Sequence, residues 1–181
     1  MNDKNEDDCP TTTRLQFRRW NLDDAQFVLE MYALKDVYQY LGSNPAPLQE
    51  LSKAEAGIKR WNERTIGAQG FWAVLPKSGD FVGTPIGAAL LLPLQRTDEL
   101  PSDDFEIGWH FHPKAWGNGF ATEAATGVID RARRFGIKNV HAVVYPANTK
   151  SLAVCDRLGM SRLGETDEWY KTTLIDHLLV L

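Results

Sequence analysis

The sequence predicts an α/β domain built on a mixed sheet, and three observations carry that prediction. Apolar residues recur at steps of two in some segments and at steps of three and four in others, the periods of strand and helix. The segments follow one another as strand, two helices, three strands, helix, strand, helix and a closing strand pair. In mid-chain a strand-like run, Phe105 to Phe111, leads through the glycine-rich Trp116-Gly117-Asn118-Gly119-Phe120-Ala121 directly into a helical run, Ala121 to Phe135. Helices interleaved with strands in this way pack over a sheet.

Each element has its own signal. Thr13 to Arg19 alternates, with Leu15 and Phe17 against Gln16 and Arg18, and reads as the first strand. Asn21 is placed to cap a helix that runs to about Leu34, with Asp23 and Asp24 in its favourable first turn. Asp36 to Leu41 continues as a short helix before the Pro45-Ala46-Pro47 break. Ser52 and Glu55 have capping-box spacing, and Ile58 and Trp61 extend one apolar face toward Arg64. Gly70 to Leu75, Pro85 to Leu94 and Phe105 to Phe111 are strands, with a turn at Lys77 to Asp80 and a polar connection from Gln95 to Asp104. After the glycine turn, Ala121, Ala124, Ala125, Val128, Ile129, Ala132 and Phe135 form one buried helix face, which Gly136 stops. Val140 to Tyr145 is a buried strand, Asn148 opens a helix that Gly159 closes, and a strand pair reaches Leu181.

Bulk properties narrow the function. The chain has 181 residues, 43% of them hydrophobic and 24% charged, enough for one domain with its own core. The formal charge of −4 is concentrated at the start, where Asp3, Glu6, Asp7 and Asp8 face only Lys4. Residues 1–12 therefore read as an acidic, disordered leader and 13–181 as a single domain. The remainder is near neutral, without the basic footprint of a nucleic-acid binder. No apolar run has the length of a membrane span, and no hydrophobic signal region opens the chain. Two cysteines, Cys9 and Cys155, make no disulfide framework, so a reducing cytoplasm is the expected location.

The glycine turn points to chemistry. A helix N-terminus presents unpaired backbone N–H groups and a partial positive charge, a ready site for phosphate. Gly117 and Gly119 allow the backbone close to such a ligand. A Walker loop would need Gly-Lys-Ser/Thr before the helix, and Gly117 to Thr122 contains no lysine. A Rossmann fingerprint would need a small residue where Thr122 stands. The turn reads as a place for a pyrophosphate-containing cofactor in some other fold, against the alternative of a plain strand-to-helix turn.

Trp116 to Ala124 resembles the Trp-Gly-x-Gly-aromatic-Ala-Thr-Glu-Ala string of the GNAT acyl-CoA-dependent N-acetyltransferases, in the branch that includes the ribosomal-protein N-terminal acetyltransferases. Glu106-Ile107-Gly108-Trp109, His112-Pro113, Asn148-Thr149-Lys150-Ser151 and Leu158-Gly159-Met160 also resemble elements of that branch. The likeness runs from about Thr13 to near the C-terminus and is specific from Phe105 to Met160. It implies a mostly antiparallel twisted sheet of about seven strands flanked by about four helices. It implies acetyl-CoA as cosubstrate, with Trp116, Gly117, Asn118, Gly119, Phe120, Ala121 and Thr122 at its pyrophosphate. By the same likeness backbone amides near Trp109, His110 and Phe111 polarise the thioester carbonyl where the strand splays from its neighbour. Asn148 then contacts the pantetheine arm, and Ser151 protonates the departing sulfur. Homodimers are common among similar proteins, so the likeness admits a homodimer, while the residues themselves do not fix the oligomeric state.

Acetyl transfer to an amine requires a neutral nucleophile, a polarised carbonyl and a proton for the leaving thiolate. Alternation puts Glu106, Gly108 and His110 on one strand face and Phe105, Ile107, Trp109 and Phe111 on the other. Glu106 is the base candidate, directly or through a water, with His110 able to share the task. Many relatives use a tyrosine seven residues after the asparagine. Here that position is Cys155, read as a small packed residue. His110 and His112 lack a third ligand at metal spacing, so no metal is expected. Aromatic residues Trp20, Tyr32, Tyr38, Tyr40, Trp61 and Trp72 read as packing of the N-terminal half. An α-amine titrates near ~8 and a lysine near ~10.4, so roughly a tenth of the former but less than roughly a thousandth of the latter is neutral at pH 7. This favours an N-terminal or small-molecule amine as acceptor. The competing expectation is a module that binds or senses acyl-CoA without turnover.

Overall fold

The computed structural model describes residues 9–181. The chain forms β1 (Leu15–Arg18), α1 (Ala25–Ala33), α2 (Lys35–Tyr38), α3 (Leu51–Glu63), β2 (Gly70–Pro76), β3 (Gly87–Pro93), β4 (Phe105–Phe111), α4 (Phe120–Arg134), β5 (Asn139–Val144), α5 (Thr149–Arg157), β6 (Ser161–Thr166) and β7 (Leu174–Val180). The strands make one seven-stranded sheet in the order β1-β2-β3-β4-β5-β7-β6. Every neighbouring pair is antiparallel except β4 with β5. This is the mostly antiparallel seven-stranded sheet that the resemblance implies.

Strands β2 and β3 are apolar throughout because both faces are covered. Along β2, Phe71, Ala73 and Leu75 enter one cluster with Val28, Met31 and Ile58 of α1 and α3. Trp72 and Val74 enter the other, with Ala124, Val128 and Ala132 of α4. β3 divides in the same way, Ala88, Leu90 and Leu92 against Ala89 and Leu91. The sheet is therefore the middle of three layers.

Helix ends follow local chemistry. A short 3-10 turn at Leu22–Asp24 precedes α1, and the Asp24 carboxylate accepts the Asn21 N–H at 2.8 Å while ion-pairing with Arg18. α4 and α5 both close in Schellman geometry, Ile137 N–H to the Ala132 carbonyl and Met160 N–H to the Cys155 carbonyl. The stops expected at Gly136 and Gly159 are thus observed. The capping box at Ser52 and Glu55 is not. α3 starts at Leu51, so Ser52 lies inside the helix, and the Glu50 carbonyl accepts the Lys53 and Ala54 N–H groups.

Residues 1–8 of the expected leader lie outside the described residues. The next four are part of the fold. Pro10 is fully buried, Cys9 packs against the α4-side cluster, and the Thr12 hydroxyl donates to Glu123 Oε1 at 2.7 Å. Residue 12 is therefore not where packing begins. No helix among the described residues is long and apolar enough to cross a membrane.

Candidate active site

Between β4 and α4 the chain makes a 3-10 turn (Pro113–Ala115) and then the glycine turn. The Trp116 indole N–H donates to the Phe111 carbonyl at 2.8 Å. The Asn118 side-chain amide donates to the carbonyls of Ala115 and Trp116, each at 3.1 Å. These bonds occupy carbonyls, and what the turn offers a ligand is N–H. Gly117 and Gly119 have φ of +79° and +75°, a region that side chains with a Cβ disfavour. A Cβ at Gly117 would meet nothing within 4 Å, and one at Gly119 only the Arg14 guanidinium at 3.5 Å. The dihedral, rather than crowding within the protein, is what calls for glycine here. The first hydrogen bond of α4 runs from Glu123 N–H to the Gly119 carbonyl, so the preceding amides have no acceptor within the helix.

Three cations surround the turn, none of them singled out by the sequence. The Arg14 guanidinium donates to the Asn118 carbonyl at 3.0 Å, pairs with Glu123 at 2.5 Å and lies 5.0 Å from the centre of the Phe120 ring. Lys150 Nζ stands 3.8 Å from the centre of the Trp116 ring. Arg157 donates to the Thr122 hydroxyl at 3.3 Å. The only clue in the sequence was Glu123, an acid in the first turn of α4. Its partners Thr12 and Arg14 lie more than a hundred residues earlier and meet it only in the fold.

The parallel pair β4–β5 touches in register only at Glu106 and His141. Hydrogen bonds from Leu94 N–H to the Asp104 carbonyl and from His112 N–H to the Ile86 carbonyl fix the ladder parity on the other side of β4. Even-numbered residues of β4 direct their backbone groups to β3, and odd-numbered ones direct theirs toward β5. Beyond Glu106 the amides of Trp109 and Phe111 therefore face the opening between β4 and β5. His110, between them, spends its amide on β3. The opening widens into a cleft of about 1500 Å³.

Every site residue anticipated from the sequence lines this cleft except Asn118, whose side chain turns inward to the turn's own carbonyls. Asn148 Oδ1 caps α5 by accepting the Ser151 N–H at 3.2 Å, which leaves its amide nitrogen as the group to offer a ligand. Ser151 is half-buried in the first turn of that helix. Cys155, one turn further, is fully buried in the α4-side cluster, and burial pushes its thiol up to about 12.

Glu106 lies on the β4 face that looks toward α1 and α3. Burial raises its carboxyl to about 7, against the opposing pull of the Tyr170 hydroxyl, which donates to Oε1, and of the Arg64 charge. Tyr170 and Arg64 also line the cleft. Tyr170 comes from the β6–β7 connection and belongs to no motif, so the sequence reading missed it. His110 shares a 2.8 Å hydrogen bond between Nδ1 and the Tyr32 hydroxyl, and burial lowers it to about 4. It is neutral at physiological pH and a weaker base than Glu106. Among the described residues no group of three His, Cys, Asp or Glu could hold a metal ion.

Comparison with known proteins agrees with this architecture. Residues 14–161 match the acetyltransferase (GNAT) domain family. The uncharacterised N-acetyltransferase p20 of Bacillus licheniformis is 25% identical over 163 residues, 88% of this chain and 86% of that one. RimL, a ribosomal-protein α-N-acetyltransferase solved in complex with coenzyme A, superposes with a TM-score of 0.74 at 12% identity, covering 95% of this chain and 97% of its own. The microcin C7 self-immunity acetyltransferase MccE, solved with acetyl-CoA and AMP, superposes at 0.71 with 14% identity over 94% of each chain. The chain belongs to the GNAT family and is an acyl-CoA-dependent N-acetyltransferase.

Proposed function

We propose that the enzyme moves the acetyl group of acetyl-CoA to a primary amine by direct attack while both substrates are bound. The observation that carries this reading is Glu106. A carboxyl group with a proton affinity near neutrality faces the same cleft as the glycine turn, on the strand whose free amides open the gap. An effective general base has its pKa near the working pH.

The residues present fit the cosubstrate. Amides of Gly117 to Thr122, at the positive end of α4, suit a pyrophosphate, and Arg14, Lys150 and Arg157 supply the balancing charge. Bound there, acetyl-CoA supplies an acyl group already activated as a thioester. Trp109 and Phe111 present N–H groups to the gap, where a carbonyl oxygen gaining negative charge would be stabilised. Asn148 orients the pantetheine arm, and Ser151 delivers a proton to the sulfur as it leaves. Glu106 accepts the amine's proton. A base of this strength suits an α-amine or small-molecule amine near ~8 better than a lysine side chain near ~10.4.

The test is the pH dependence of kcat/KM in wild type and Glu106→Gln, each measured with two acceptors of different amine pKa. The wild type should lose activity as pH falls through about 7, because Glu106 must be ionised to take a proton. That limb should stay in place for both acceptors. In Glu106→Gln it should vanish, with a rate loss of about 10²-fold. A limb that survives the substitution, or that follows only the acceptor's pKa, would remove Glu106 from the mechanism.

A further inference from the structure

Glu106 is held by a turn with an unusual backbone. Tyr170 and Lys171 are consecutive non-glycine residues at φ +54° and +57°, a conformation that costs roughly 1 kcal/mol or more for each. Such a turn persists only where its surroundings over-determine it. On the outer side the Gln95–Thr97 segment does so. Tyr170 N–H donates to the Gln95 carbonyl at 3.2 Å, Lys171 N–H to the Thr97 hydroxyl at 3.0 Å, and Thr97 N–H to the Glu168 carbonyl at 2.7 Å.

On the inner side, beside the Tyr170–Glu106 bond, Trp169 supplies a polar anchor. Trp169 is buried, and its indole N–H donates to Asp176 Oδ2 at 3.2 Å. The other oxygen of Asp176 bonds His141 Nδ1 at 2.9 Å, and the His141 and Trp169 rings meet edge to face, 5.8 Å between centres. His141 is also the residue that faces Glu106 across the single register contact between β4 and β5. The buried carboxylate thus joins the strand beside the base to the turn that carries the base's hydrogen-bond partner. Nothing in the transfer reaction itself uses His141, Asp176 or Trp169.

We propose that Asp176, gripped by His141 and in turn gripping the Trp169 indole, is a positioning residue for acetyl transfer: it fixes the Trp169–Tyr170 turn so that the Tyr170 hydroxyl sets the proton affinity of Glu106. This rests on the reading of Glu106 as the base. The other charges near this chain of contacts are Asp104, 3.8 Å from His141 Nε2, Arg96, 5.9 Å from the centre of the Trp169 ring, and Arg64 beside Glu106 and Tyr170. None of them bridges Trp169 to β7 as Asp176 does.

A hydrogen bond from Tyr170 favours the ionised form of Glu106, so its loss moves the acid limb of kcat/KM upward. The measurement is that limb in Tyr170→Phe, Trp169→Phe and the double variant, with Tm and the KM for acetyl-CoA followed in parallel. Trp169→Phe keeps a buried aromatic ring while removing the indole N–H and part of the ring volume, and the Tm reports the packing cost separately. Tyr170→Phe should raise the limb by about one pH unit and Trp169→Phe by about half a unit. The double variant should match Tyr170→Phe alone, because both substitutions break one coupling. The KM for acetyl-CoA should stay within twofold. A Trp169→Phe enzyme with lowered Tm but a wild-type limb would reduce the cluster to a packing role and overturn the proposal, as would shifts that simply add. The Glu106→Gln profile separates the two levels. If that variant keeps the limb, the base assignment fails and this inference with it. If it loses the limb while Trp169→Phe leaves it in place, only the inference fails.

Discussion

Ser151 and Cys155 lie one turn apart on α5 and have opposite environments, a half-buried place in the cleft wall and a fully buried place in the core. A side chain can deliver a proton only where substrate can reach it, so the two should respond differently to truncation. Ser151→Ala is expected to lower kcat by about 10²-fold while the KM for acetyl-CoA changes only a few fold. Cys155→Ala should leave kcat within about twofold, its cost being the stability lost with a buried sulfur. Steady-state kinetics on both variants checks this, and a wild-type kcat in Ser151→Ala would take away its role as acid. Glu106 could be found from the sequence because strand alternation fixes a face. Tyr170 could not, because it is 64 residues from its partner and reaches it through a left-handed turn that no local pattern announces.

At the scale of elements, the glycine turn was legible because its requirement is local. Two positive φ angles just before a helix favour glycine whatever the rest of the chain does. Gly119→Val should therefore strain the start of α4 and spoil its amide cradle. The expected result is a KM for acetyl-CoA raised about tenfold or more, the worth of one charge-assisted hydrogen bond, with the amine KM little changed. An unmoved cofactor KM would detach the turn from phosphate binding. Buried strands were equally legible, and the predicted Phe105 to Phe111 is the observed β4. Helix starts were less so. A capping pattern at Ser52 competes with a start two residues earlier, and here the Glu50 carbonyl accepts the Lys53 and Ala54 N–H groups. The cations around the turn were illegible for a further reason. Arg14, Lys150 and Arg157 come from before β1 and from α5, and only the packing of α4 against both brings them together.

In the whole molecule, one exception to an otherwise antiparallel sheet opens the cleft. Six strand neighbours would normally zip along their length, but β4 and β5 run parallel and meet at a single register pair. The amides left facing the opening, the glycine turn above β4 and the cap of α5 beyond β5 then converge on one cleft. Helices α1 and α3 cover the opposite face, where His110 shares a hydrogen bond with Tyr32 and Glu106 lines the cleft. The composition and periodicity of the chain disclosed the layers, and the family likeness disclosed the cosubstrate. The acceptor is written in neither, and the cleft wall to which Asp36, Val37, Arg64, Tyr170 and Thr172 contribute is assembled from segments far apart in the chain.

The most direct test is thiol release from acetyl-CoA, measured with the purified chain against short peptides of varied N-termini, free amino acids, polyamines and aminoglycosides. Direct transfer in a ternary complex predicts release that depends on the amine, saturates in both substrates and gives intersecting initial-velocity lines. Acetyl-CoA that raises the melting temperature without amine-dependent thiol release from any class would contradict it and favour a protein that senses the acyl-CoA rather than spending it.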